Sequence, residues 1–179
     1  MAFALNFDQK VKNTLEGMPL LRQYKWVTGW CADERSKVDI AGLKNGIVRV
    51  LVEIELKKDN PVENVVKVWR WAARRRNNNK VLFVHAFSAH YLDTGSTSPP
   101  TKIKQHERAV FIGQQMKKNR TLRVNYKTLP IRTTTRNGEL KYFKPLMRRG
   151  VIVKAGGGAM LRAADNLAHG IANLLRSET

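Results

Sequence analysis

Residues 47–57 read Ile-Val-Arg-Val-Leu-Val-Glu-Ile-Glu-Leu-Lys. From Val48 to Leu56 every second residue is aliphatic, which is the period-two pattern of a strand and not the 3.6-residue period of a helix. Val48, Val50, Val52, Ile54 and Leu56 form one face; Arg49, Leu51, Glu53, Glu55 and Lys57 form the other. The first face is expected in a core, the second toward solvent or chemistry. Just before this stretch, Lys44-Asn45-Gly46 is a hairpin signal, because Asn-Gly accepts the positive φ that a tight turn demands. A short strand at about 37–41 and an aromatic, β-branched strand from residue 24 complete a three-stranded meander.

Working outward, Asp59-Asn60-Pro61 punctuates the chain and opens a helix over about 61–76, with Pro61 in its first turn and Arg74, Arg75 and Arg76 at its negative end. Upstream, Phe7, Val11, Leu15 and Met18 recur at helical spacing, so a first helix is expected over about 7–22, interrupted near Gly17 and Pro19. Downstream, Val81-Leu82-Phe83-Val84 continues to Phe87 as an apolar run of the buried-strand type, expected at the sheet centre. Residues 91–101 read as a loop, 102–118 as a helix, 122–131 as a strand and 132–144 as a hairpin around Asn137-Gly138. A last helix over about 159–176 shows an apolar stripe. His85 and His90 flank the apolar run and are read as structural or phosphate-contacting, because their spacing does not assemble a His-based metal site.

The 179 residues carry 33 Lys plus Arg against 14 Asp plus Glu, a net charge of +19. At roughly 100–200 residues per domain, this length is expected to form a single domain, 1–179. The cations recur along most of the chain, which points to a folded basic surface whose partner is a polyanion, with nucleic acid as the default. One cysteine, Cys31, excludes an intramolecular disulfide and a multi-cysteine zinc site, and favours a cytoplasmic setting. No apolar run reaches the length of a membrane span.

Asp39 is expected on the second strand, and fifteen residues separate it from Glu55-Leu56-Lys57 on the third. Period-two geometry sets Glu55 and Lys57 on one face, about 7 Å apart, beside the strand that carries Asp39. This Asp, Glu-x-Lys constellation resembles the PD-(D/E)xK nuclease superfamily, over roughly residues 7–131. Val38 stands where the motif has proline. The resemblance implies an α/β, restriction-endonuclease-like core at about 7–131, in the order α-β-β-β-α-β-α-β on a mixed central sheet flanked by helices, followed by a C-terminal extension of hairpin and helix at about 132–179. It further implies a metal-dependent endodeoxyribonuclease that hydrolyses DNA phosphodiester bonds, frequently as a homodimer. Asp39 and Glu55 would hold Mg²⁺ (or Mn²⁺), and Lys57 would orient the attacking water or stabilise charge on the phosphate. Glu53 leaves open which acid is the ligand, with Glu55 preferred, and Glu16 on the first helix is a candidate for a further carboxylate. Nucleic-acid contacts are expected from Lys67, Arg74, Arg75, Arg76, Lys102 and Lys104. A reading from another class uses the same charge and fold: a non-catalytic nucleic-acid-binding or assembly protein in which Glu53 and Glu55 serve structural ion pairs.

Overall fold

The computed structural model describes residues 2–33, 36–56, 60–75, 79–92, 100–145, 147–148, 151–152 and 157–177. Helix α1 (Ala2–Gly17) starts earlier than its apolar spacing suggests and stops at Gly17, before a 3-10 turn at Pro19–Leu21. The meander follows as β1 (Lys25–Asp33), β2 (Ser36–Lys44) and β3 (Ile47–Glu55), all antiparallel. Lys44 pairs with Ile47 across a two-residue turn in which Asn45 and Gly46 have φ of 53° and 75°. Those are the two positive-φ positions of a type I′ hairpin, so the Asn-Gly signal sets the register of β2 on β3.

Helix α2 (Pro61–Arg74) carries the chain back so that β4 (Val81–Phe87) pairs parallel with β3. The short α3 (Ala89–Leu92) and α4 (Pro100–Lys118) lead to β5 (Val124–Pro130), parallel to β4. The result is a mixed α/β sheet in the order β1-β2-β3-β4-β5. Its middle strand is β3; β4, the expected centre, is the neighbour and is buried along its whole length. Strands β6 (Arg132–Thr134) and β7 (Leu140–Tyr142) make the expected hairpin, β8 (Met147–Arg148) and β9 (Val151–Ile152) a second small pair, and α5 (Gly157–Arg176) follows. Among the described residues no helix is long and apolar enough to cross a membrane.

Each face of the sheet has its own core. On one, Val50, Val52 and Ile54 of β3 pack with Phe7, Val11 and Leu15 of α1 and with Leu167 and Ile171 of α5. Thr14 donates to Asp165 Oδ1 at 2.7 Å and ties α1 to α5. On the other, Leu51 packs with Phe83, Tyr126, Val65 and Val68. The alternation in β3 leads one to expect a solvated second face, and the structure corrects this: Glu53 and Glu55 are both fully buried. A parallel β3–β4 pair requires a crossover connection, and here the crossover helix lies over that face. Alternation records which residues differ chemically, whereas the crossover decides what covers them. Close approach of α4 depends on Gly113, where an added Cβ would meet the Tyr126 ring at 2.3–2.5 Å.

Candidate active site

The backbone ladder between β2 and β3 runs from the hairpin to Ile40↔Val52. One step further along, Asp39 stands opposite Glu53, and there a side chain replaces the ladder: the Ile54 N–H donates to Asp39 Oδ2 at 2.7 Å. That bond seats the Asp39 carboxylate against the peptide joining Glu53 to Ile54. Asp39 is half-buried, whereas Glu53 lies beneath α2.

Helix α2 supplies the partners of both glutamates. Its buried stripe contains Val65, Val68 and Ala72 at core spacing, and Asn64 and Lys67 interleave with them, also buried. The helix returns against the direction of β3, so its earlier residue meets the later strand residue. Asn64 Nδ2 accordingly donates to Glu55 Oε1, and Lys67 Nζ lies 2.8 Å from Glu53 Oε1. Lys67 also donates to the Lys37 carbonyl of β2 at 2.5 Å, so its ammonium bridges β2 and β3 beside the point where their ladder ends. Neither partner of the Lys67–Glu53 pair has much water: their side chains are 10% and 0% exposed.

Glu55 heads a second network. His85 Nε2 lies 2.9 Å from Glu55 Oε1, and His85 Nδ1 lies 3.2 Å from the Tyr126 hydroxyl. Both ring nitrogens of His85 therefore have polar partners. Burial first, and the Glu55 carboxylate second, push the Tyr126 phenol well above its usual range, which keeps it a donor. Phe83 and Phe87 wall the imidazole, with ring centroids 5.7 and 4.3 Å away. His106 stands edge-on to Phe87 at 4.4 Å, and burial, then the nearby His85, lower its pKa against a smaller opposing effect of Glu107.

The anticipated site residues therefore separate. Asp39 and Glu53 occupy opposed register positions at the β2–β3 end. Glu55, the preferred ligand, accepts from Asn64 and lies against His85, and Glu53, two residues before it on the same covered face, is paired with Lys67. Lys57 and Arg76 lie outside the described residues. Glu16 pairs with Lys12 at 2.7 Å on α1, whose apolar side packs on the other face of the sheet, so it does not join the acids.

The basic residues divide between the two ends of the sheet. Lys67 is an internal ion-pair partner and not the surface contact expected. Arg74 is exposed at the C-terminal end of α2. Arg75 is half-buried, with Nη2 donating to the Leu122 carbonyl at 2.5 Å and its guanidinium 5.0 Å over Trp71, so it ties α2 to the turn before β5. Both arginines lie where α2 hands over to β4, at the end of the sheet remote from Asp39. Lys102 and Lys104 begin α4, at the end where β4 finishes and the acids sit. Sequence reasoning assigned no role to Tyr126. The signal for the α2 partners was present as a polar pair, Asn64 and Lys67, set three apart within a stripe of valines.

Among the described residues no three His, Cys, Asp or Glu side chains group as a metal cluster. Two carboxylates are hard oxygen donors of the kind that Mg²⁺ accepts while keeping several waters. No protein-family model, curated protein or solved structure matches the chain.

Proposed function

We propose that this chain is a metal-dependent nuclease of the restriction-endonuclease-like type that hydrolyses DNA phosphodiester bonds at Asp39, Glu53 and Lys67. The observation that carries the reading is the break in the β2–β3 ladder, where Asp39 takes the Ile54 N–H opposite a glutamate paired with lysine. The order α-β-β-β-α-β-α-β and the mixed sheet support it, and so does the location, at the ends toward which β3 and β4 run. The net charge of +19 supplies the attraction for a polyanion.

In this reading Asp39 and Glu53 would hold the cation, and the chemistry it would supply is polarisation of the scissile phosphate and a lowered pKa of a bound water. Lys67, held by Glu53 and by the Lys37 carbonyl, places a fixed positive charge where negative charge grows on the phosphate oxygens. Asn64, His85 and Tyr126 position Glu55, which braces the β3 backbone beneath the reacting groups. Lys67 thus takes the role that the sequence motif gives to Lys57, and Glu53 the role given to Glu55.

A second reading is favoured by one observation, the complete burial of both glutamates in partnered positions. In it the same surface binds nucleic acid and the acids only stabilise the fold. Nicking of supercoiled plasmid separates the two. Wild type is expected to nick in Mg²⁺ or Mn²⁺ and not in chelator, while Asp39→Asn and Glu53→Gln bind and do not nick. A wild type that binds every DNA form and cuts none establishes the second reading.

A further inference from the structure

At the opposite end of the sheet from Asp39 lies a cleft of about 440 Å³ where α4 ends and β5 begins. Lys80, Lys117, Arg120, Arg123 and Lys127 line it, together with Asn119, Val124 and Asn125, and no acid is among the described lining residues. The sequence explains the imbalance: between Glu107 and Glu139 there is no Asp or Glu, while Arg108, Lys117, Lys118, Arg120, Arg123, Lys127, Arg132 and Arg136 fall in that interval. Cations gathered without acids repel one another, and a polyanion in the cleft relieves that repulsion by taking the place of condensed counterions.

The turn that presents Arg120 and Arg123 is built to one shape. Asn119 Oδ1 accepts from the Thr121 N–H at 3.2 Å and from the Thr121 hydroxyl at 2.6 Å, and Leu122 N–H donates to the Asn119 carbonyl at 3.1 Å. Arg75 holds the Leu122 carbonyl from behind, and Val81 N–H donates to the Arg123 carbonyl at 2.9 Å. Arg123 itself has φ of 50°, a left-handed backbone that a non-glycine residue adopts only when its surroundings impose it. Arg123 and Arg75 also crowd each other: burial first and Arg123 second lower the Arg75 pKa. The fold therefore holds in one shape the backbone from which Arg120 and Arg123 project.

We propose that this cleft is a nucleic-acid backbone site, separate from the acids, which grips phosphates of a segment that is not being cut. Glu53 aligns with His85 on β4, and Lys80 precedes His85 by five residues, so at about 3.3 Å per residue the cleft begins roughly 17 Å from the acid pair. At 3.4 Å per phosphate along a strand, that interval corresponds to about five nucleotides. The inference takes from the proposed function only its nucleic-acid partner, and it stands or falls independently of hydrolysis.

The test measures binding in chelator, so that absence of cleavage has no bearing on it. Anisotropy of a fluorescent 20-base-pair duplex is followed against salt for the wild-type chain. Two variants of equal charge change are compared with it: Lys117→Glu with Arg120→Glu in the cleft, and Arg22→Glu with Lys25→Glu elsewhere on the surface. Loss of two phosphate contacts is expected to weaken binding by about tenfold or more near 0.1 M salt and to reduce the salt slope by about 2. The control pair is expected to change affinity less than about threefold. Equal losses in the two variants overturn the proposal, since overall charge then explains binding, and so does no loss in either. Vesicles rich in phosphatidylserine that bind the wild type while the duplex does not overturn it as well. Should the cleft variant fold poorly, acetylation of the wild type decides: duplex is expected to protect Lys80, Lys117 and Lys127, and unchanged labelling of all three refutes the site.

Discussion

Replacing Lys67 by methionine keeps most of the side-chain volume and removes its charge, leaving Glu53 buried under α2 without the ammonium 2.8 Å away. Because the two side chains are 0% and 10% exposed, solvent screening offers little relief. Breaking a buried pair from one side costs about 3–5 kcal/mol, a large part of the roughly 5–15 kcal/mol that holds an ordinary domain together. At about 2–4 °C per kcal/mol for a chain of this size, the melting temperature is expected to fall by roughly 6–20 °C. Glu53→Gln is milder, because Lys67 keeps the Lys37 carbonyl and retains slight contact with water. The double variant removes both charges, and replacement of a whole buried pair is often close to neutral. A double-mutant cycle by urea unfolding, the two single losses less that of the double, is therefore expected to give a coupling of at least about 3 kcal/mol. Coupling below about 0.5 kcal/mol would refute the desolvated pair. Plasmid nicking on the same four proteins adds a second readout: the double variant recovers stability and stays inactive if the pair is chemical as well as structural.

Three further outcomes follow from the packing. Gly113→Ala is expected to destabilise by about 1–3 kcal/mol in urea, although alanine is the better helix former by about 1 kcal/mol, because its Cβ enters the Tyr126 ring; an unchanged or raised midpoint contradicts this packing. Tyr126→Phe removes the hydroxyl from His85 and is expected to cost about 1 kcal/mol near neutrality. Since the folded phenol has a raised pKa, wild-type stability should decline as pH rises past about 10, and the variant should decline less; parallel alkaline limbs argue against this role. His106 has the opposite sign. Its folded pKa is lowered, so the unfolded chain binds the proton more readily, and the stability it contributes is complete above about pH 6.5 and is lost as pH falls below that. His106→Gln should flatten that acid limb in unfolding curves taken between pH 7.5 and 5, and an unchanged limb assigns the loss to other groups.

The order of the main elements could be read from local signals because those signals are local in origin. Asn45-Gly46 set a hairpin through backbone conformation, Pro61 opened a helix through its fixed φ, and the apolar run of β4 marked a strand buried on both faces. What covers a strand is a nonlocal matter. The pattern of β3 separated Glu53 and Glu55 from the valines but carried no information that α2 would roof them, so both were assigned to an exposed face. The same gap left open where the basic residues lie relative to Asp39. Arg74 and Arg75 adjoin Lys67 in the chain, yet α2 runs the length of the sheet and delivers them to the end away from Asp39. The motif joined Asp39 to Glu55, whereas the register of the hairpin sets Asp39 opposite Glu53, and the partnership of Glu53 with Lys67 depends on a helix returning against its strand.

The proposed chemistry requires that Asp39 and Glu53 share a divalent cation. Crystals soaked in Mn²⁺ and measured at its absorption edge test that requirement directly. The account predicts an anomalous peak at the β2–β3 end with carboxylate oxygens of both residues about 2.1 Å away, as for an octahedral all-oxygen site, and no peak in Asp39→Asn. Wild-type crystals that diffract well and show no manganese near Asp39 and Glu53 would contradict it.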